Sequence, residues 1–409
     1  MPNPIEKAWL TSPSRRKAML QFAGLMAASP LGSALAVPDP KPFSQHHRAL
    51  SLPEVQTVFD FEPLFYANVP QSIYDYTTHG DGSEFTLRRN RQAYDWVDIL
   101  ASRNAVPASQ VDLSTEFLGA KMKYPLIVAP TAAMVPLNPD GEAGMYKAAT
   151  AAGALMILSI NTSMPVDKVA PAAKGQLWGQ FYPTESLTAS QKVMDAYEAA
   201  GVTNIIVTVD QQASNYERTN QDRNLGGRVA AAGRGGARGG AAAAAPTGSA
   251  LYRVNGGRLW YTWEYIDAMR KMIKGKMILK GILEPEDAEL AIAHGADSII
   301  VSNHGGRSMD YGPSTLESLP AIVAAVNGKM PIMFDSGIRR GADIFKALAL
   351  GANVVMTGRA TRWGLAAFGQ QGAQRAIEML QQELVQTAAA AGCAKLSDID
   401  KTRVRSHFV

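Results

Sequence analysis

The chain has 409 residues, 46% hydrophobic and 19% charged, the composition of a folded globular protein rather than a disordered or fibrous one. No run of about twenty apolar residues occurs, so no permanent membrane span is expected. The single cysteine, Cys393, excludes an intramolecular disulfide and any cysteine-based metal cluster, and a formal charge of +4 is weak ground for a nucleic-acid partner.

Residues 1–36 read as a targeting segment. Arg15-Arg16-Lys17 precedes a modestly apolar stretch, Phe22 to Leu35, which closes on Ala34-Leu35-Ala36, the order of parts in a bacterial twin-arginine signal. The alternative is an amphipathic helix that stays attached. Lys7, Arg15, Arg16 and Lys17 against Glu6 give the segment +3, so its removal leaves about +1 on the chain. The expected location is periplasmic, or cytoplasmic if the segment is not a signal. Twin-arginine export moves folded proteins, which suits an enzyme that loads a cofactor before crossing.

A Pro-rich stretch, Val37 to Pro53, reads as extended, and 37–60 is expected to be a linker ahead of one domain over 61–409. A helical pattern around Pro63 to Gly80 carries Tyr74-Asp75-Tyr76. Phe85 to Arg91 and Val111 to Leu118 complete the lead-in.

From Pro125 short apolar runs alternate with helical patterns. The strands are expected at Pro125–Pro130, Leu155–Ile160, Leu177–Tyr182, Asn204–Asp210, Lys276–Gly281, Ser298–Asn303, Pro331–Ser336 and Val354–Arg359. Between them fall Gly141–Ala152, Val166–Ala172, Leu187–Ala200, Thr262–Met272, Pro285–His294, Leu319–Val326 and Gly341–Leu350, with a last helix from Leu365 to Ala389. Eight strands in alternation with helices predict an α/β fold, a closed (β/α)8 TIM barrel with a helical N-terminal lead-in. A doubly wound open sheet is the alternative, disfavoured because no Gly-x-Gly-x-x-Gly follows the first strand. The interval after the fourth strand contains Gly/Ala/Arg-rich sequence over Gly226–Ala245, with little to bury. It is expected to be a long flexible loop, either a lid or a tolerated insertion.

Active sites of such barrels lie at the C-terminal strand ends. Those ends read Thr131-Ala132, Ser159, Gln180 with Tyr182, Thr208 with Asp210, Lys280, Ser302 with His304, Asp335 with Gly337 and Arg339, and Gly358-Arg359. The last two strand ends offer backbone N–H groups and guanidinium where barrels bind phosphate. Lys280 supplies a cation for an electron-rich ring, and Ser159, Gln180 and Thr208 suit the polar edge of a flat heterocycle. Within Ser302-Asn-His304-Gly-Gly-Arg307, His304 suits proton removal near neutral pH and Arg307 suits a substrate carboxylate.

From about Tyr74 to Val404 the sequence resembles the FMN-dependent L-2-hydroxy acid oxidases and dehydrogenases, the family that includes glycolate oxidase, lactate oxidase and mandelate dehydrogenase. The likeness rests on Ser302-Asn-His304-Gly-Gly-Arg307-Ser-Met-Asp310, Asp335-Ser-Gly-Ile-Arg339-Arg-Gly-Ala-Asp343 and Ala129-Pro-Thr131-Ala132, supported by Tyr74-Asp-Tyr76, Gln180-Phe-Tyr182, Thr208-Val-Asp210 and Leu279-Lys280-Gly281. The resemblance implies FMN as cofactor and oxidation of a lactate-like L-2-hydroxy acid to the 2-oxo acid, with oxygen or a respiratory acceptor taking the electrons. It implies His304 as base, Asp210 as its partner, and Tyr182, Tyr76 and Arg307 on the substrate. It places Lys280 at the flavin N1–C2 carbonyl. Thr131, Ala132, Ser159, Gln180, Thr208 and Ser302 fall against the ring or ribityl chain, and Asp335, Gly337, Arg339, Gly358 and Arg359 at the ribityl and phosphate end. By the same analogy the chain is a homo-tetramer.

The sequence departs from the family pattern after the fourth strand, where Glu217 holds the register of a second carboxylate-binding arginine. Arg218, next to it, is the candidate for that role. Ala132-Ala-Met-Val also differs from the usual run near the reactive flavin face. The competing readings are an FMN-dependent barrel isomerase acting on a phosphorylated substrate, and a flavin-binding protein without turnover.

Overall fold

Residues 49–183, 186–210 and 262–408 are described by the structure, a computed structural model. Residues 1–36, expected to be a targeting segment, the Gly/Ala-rich stretch, Gln211-Gln212, Glu217 and Arg218 lie outside the described residues. All elements below belong to the unit Ser51–Val409.

Ahead of the barrel come α1 (Phe61–Asn68), α2 (Gln71–Thr78), α3 (Phe85–Asp95), β1 (Val97–Ile99) and the hairpin β2 (Thr115–Phe117) with β3 (Ala120–Met122). The repeating part follows as β4 (Leu126–Val128), α4 (Gly141–Ala151), β5 (Leu155–Ser159), α5 (Val166–Val169), β6 (Leu177–Phe181), α6 (Leu187–Ala199) and β7 (Ile205–Thr208). It continues as α7 (Trp263–Met272), β8 (Met277–Ile282), α8 (Pro285–Ala293), β9 (Ser298–Val301), α9 (Thr315–Val326), β10 (Ile332–Phe334), α10 (Gly341–Ala349), β11 (Val354–Thr357) and α11 (Arg359–Ala390). A terminal strand, β12 (Val404–Ser406), pairs antiparallel with β1.

Strands β4 to β11 form a closed parallel barrel in chain order, sealed where β11 pairs with β4. The barrel interior holds an apolar cluster of Ile127, Leu155, Ile157, Trp178, Ile206, Ile278, Ile300, Met333, Val354 and Met356. A barrel of eight strands is just wide enough for such side chains to fill. The β2–β3 hairpin stops the other end of this core, with Phe117, Ala120 and Met122 in the same cluster and Phe117 against Trp178 at 6.3 Å between ring centroids. The polar C-terminal rim is thus the open end.

Some elements differ from expectation. Pro63 to Gly80 is two helices, because Pro70 lacks an N–H and forces Val69 into extended backbone (φ −121°, ψ 156°). Helix α9 begins at Thr315 rather than Leu319, held by a capping box in which Ser314 Oγ accepts from Glu317 N–H at 3.2 Å and Glu317 takes the Ser314 N–H. The final helix begins at Arg359, six residues before the expected start, and is interrupted at Phe368-Gly369, where Gly369 has φ 60° and ψ −145°. Val55 and Val58, inside the stretch read as a linker, are buried.

Candidate active site

Three barrel strands end in buried polar side chains that bond to one another. Ser159 Oγ donates to Gln180 Oε1 at 3.2 Å, and Gln180 Nε2 donates to Thr208 Oγ1 at 3.0 Å. Parallel register makes this possible, since Ser159 sits beside Gln180, and Thr208 beside Lys280. The predicted flat-ring contacts therefore form one hydrogen-bonded row across the rim.

Lys280, Asp210 and His304 meet next to that row. Asp210 Oδ1 lies 2.8 Å from His304 Nδ1, and Asp210 Oδ2 lies 3.3 Å from Lys280 Nζ. Lys280 Nζ is also 3.3 Å from His304 Nδ1. Both contacts to Nδ1 cannot be hydrogen bonds at once. The shorter, charge-assisted one to Asp210 puts the proton on Nδ1 and leaves Nε2 as a lone pair. Tyr182 Oη, 3.4 Å from Nε2, marks the direction in which that lone pair points, and its ring stacks on the imidazole.

The electrostatics suit a base. Burial raises the Asp210 carboxyl, but the charges of Lys280 and His304 and their hydrogen bonds outweigh it and hold it at about 2. Burial and then Lys280 pull His304 below its ordinary 6.5, against the upward influence of Asp210. The imidazole is neutral at pH 7 with a carboxylate ready to support its cation.

Backbone geometry aims this histidine. His304, Gly305 and Gly306 have φ of 58°, 69° and 77°, three consecutive left-handed residues of which only two are glycine. The turn is over-determined by neighbours. Ser302 Oγ accepts the His304 N–H at 3.1 Å, and Ser336 Oγ accepts the Gly305 N–H at 3.1 Å. Asn303 exchanges reciprocal amide bonds of 2.8 and 2.9 Å with Asn90 on α3, and its Oδ1 also accepts the Gly306 N–H. On the same helix Tyr94 Oη donates to the Ser336 carbonyl at 2.7 Å. The lead-in thus fixes the loops after β9 and β10.

Arginines converge on the C-terminal end of α2, whose last carbonyls have no helical donors. Arg307 Nη1 donates to the Tyr76 carbonyl at 2.6 Å and to that of His79 at 3.3 Å, with its guanidinium 5.0 Å from the Tyr76 ring. Arg359 donates at 2.8 Å each to the carbonyls of Thr77, His79 and Gly305. Tyr76 and Arg307 therefore share one place, although the tyrosine comes from outside the barrel. Arg339 packs its guanidinium 4.6 Å above Trp363, and burial brings it down to about 10. Asp335 accepts from Ser336 Oγ through Oδ1 at 2.8 Å. Arg218 is outside the described residues.

Arg362, Asn90, Asn303 and Tyr94 are not among the expected site residues, yet they touch it. Arg362 was signalled by its spacing, since it stands three positions after Arg359 in α11 and so on the same helix face. Asn90 carries no comparable local signal.

A barrel mouth that gathers an imidazole against a buried Lys–Asp pair, with several arginines beside them, is the layout of a (β/α)8 enzyme. The family model of the FMN-dependent dehydrogenases matches residues 66–406, and the chain belongs to that family. It is 32% identical to glycolate oxidase 3 of Arabidopsis thaliana over 87% of this chain and 97% of that protein. It is 36% identical to L-lactate oxidase of a Nostoc species over 84% of this chain and 96% of that one. The crystal structure of mandelate oxidase superposes with a TM-score of 0.75 at 30% identity, covering 87% of this chain and 99% of the other.

The residues present fit FMN. Among the described residues, no carboxylate forms an ion pair with Arg339 or Arg359. Thr131 Oγ1 is buried without a hydrogen-bond partner, directly against Gly358, where an added Cβ would come 3.3 Å from the threonine methyl. Both features suit a bound polar ligand.

Proposed function

We propose that this protein oxidises a lactate-like L-2-hydroxy acid to the 2-oxo acid. The observation that carries the reading is the Asp210–His304 pair facing Tyr182 at the mouth that also holds Tyr76 and Arg307. Arg339, Arg359, Gly337 and Gly358 would hold the phosphate end of FMN, and Thr131, Ser159, Gln180, Thr208 and Lys280 its ring side. Bound FMN supplies the two-electron acceptor. Arg307 and Tyr76 hold the substrate carboxylate, and Tyr182 orients the hydroxyl. His304 Nε2 takes one substrate proton, and Asp210 stabilises the imidazolium that results. Oxygen or a respiratory acceptor then removes the electrons, and the working form is a homo-oligomer, a tetramer by analogy.

Residues 1–36 act as the twin-arginine signal in this proposal, making the enzyme periplasmic. Replacing Arg15 and Arg16 by lysine would then leave the protein in the cytoplasm, as cell fractionation would report.

The test is anaerobic. Purified protein is yellow, and lactate, glycolate or mandelate bleaches its visible absorption. A yellow protein that none of the three bleaches refutes the substrate class. Reoxidation by air compared with a quinone then distinguishes oxidase from dehydrogenase.

A further inference from the structure

Arg362 is a buried guanidinium that the reading above leaves without a task. It lies in the first turn of α11, 3% exposed. Its Nη1 donates to the Ala132 carbonyl, and Nη2 donates to Thr77 Oγ1 at 3.1 Å, while Nε is buried with no partner. Among the described residues, no carboxylate forms an ion pair with it. Its nearby acid, Glu142, is occupied: it accepts from Met134 N–H at 3.0 Å, from Ser163 N–H at 2.7 Å and from Ser163 Oγ at 2.7 and 2.8 Å. A buried arginine charge that neutral groups alone satisfy is costly, and a bound anion offsets that cost.

The direction of Arg362 decides which anion. Arg339 and Arg359 stand at the ends of β10 and β11, where the phosphate is expected. Arg362 shares Thr77 with Arg359, bonding its side chain where Arg359 holds its backbone carbonyl, and is set apart by its bond to the Ala132 carbonyl in the loop after β4. Burial is the main influence lowering it to about 10; Tyr76 draws its charge and Arg307 repels it, which puts all three in one neighbourhood.

We propose that Arg362 binds the substrate carboxylate together with Tyr76 and Arg307. This rests on the 2-hydroxy acid reading. A third binding group from the last helix makes the site selective for the charged acid over any neutral analogue. It also ties the Ala132 turn to the substrate end of the mouth through one side chain.

The experiment compares kcat/KM for a 2-hydroxy acid and for its neutral amide, in FMN-loaded wild type, R362M and R362K. A charge-assisted hydrogen bond is at stake, so R362M should lose about ten- to hundredfold on the acid and little on the amide. R362K, which keeps charge and most of the volume, should show a smaller loss of the same selectivity, and it decides the matter if R362M does not fold. Equal losses on acid and amide, or an unchanged ratio in R362K, overturn the proposal and leave Arg362 as a strut between Ala132 and Thr77. Failure of the unmodified enzyme to oxidise any hydroxy acid would instead remove the underlying reading.

Discussion

Asp210→Asn separates the two roles that the buried carboxylate combines. The side chain is 5% exposed and holds His304 at 2.8 Å and Lys280 at 3.3 Å, so the substitution keeps shape and removes a charge that both neighbours use. Without it the imidazolium loses the group that favours it, and the His304 pKa, already below 6.5, falls further. Since kcat/KM rises as this histidine loses its proton, the acidic limb of the profile moves to lower pH. The plateau falls as well, because the cation formed in turnover is unsupported. Loss of a charge-assisted hydrogen bond, about 1.5–3 kcal/mol, corresponds to roughly 10- to 150-fold. Lys280 is left buried beside a neutral amide, which costs about 3–5 kcal/mol of stability. Initial rates from about pH 5 to 9, with urea unfolding alongside, read all three effects. A limb that moves to higher pH, or an intact plateau, refutes the pairing of Asp210 with the base.

Three further substitutions test other parts of the molecule. Arg339→Leu should weaken FMN binding by about ten- to hundredfold, seen as a lower ratio of visible to ultraviolet absorbance and a higher dissociation constant by fluorescence titration. Gly337→Ala meets both a φ of +80° and the Asn90 carbonyl 2.5 Å from the new Cβ, so a loss of at least about 1–3 kcal/mol is expected in denaturant unfolding. Trp178→Ala empties the core above the β2–β3 hairpin and should cost about 3–5 kcal/mol of stability while leaving KM unchanged, which steady-state kinetics at low temperature would check.

The barrel was readable because each strand is a short apolar run closed by polar residues, and both faces of a parallel strand are buried. The strand ends were read too long for the same reason. Asn303, Ser336 and Arg359 continue the runs in sequence but belong to the loops or helix that carry the site, as β9, β10 and β11 stop at Val301, Phe334 and Thr357. The α9 start was missed because Pro320 resembles a helix opening, whereas the actual opening is the Ser314–Glu317 box and the proline lies inside the helix. Asp210, Lys280 and His304 were legible as separate strand ends, and closure of the barrel brings them together. What was not legible is the contribution of α2 and α3. Asn90 and Thr77 gain meaning only from partners more than two hundred positions away.

The arginine grip on the end of α2 has a consequence for how the protein is made. Arg359 and the Thr77 carbonyl it holds are 282 positions apart. A nascent chain therefore carries Tyr76 long before anything exists to hold it, and ordering so distant a pairing is slow. Partial chains released before β11 would have neither a closed barrel nor a seat for a substrate carboxylate. Competence arrives only when the last βα unit leaves the ribosome.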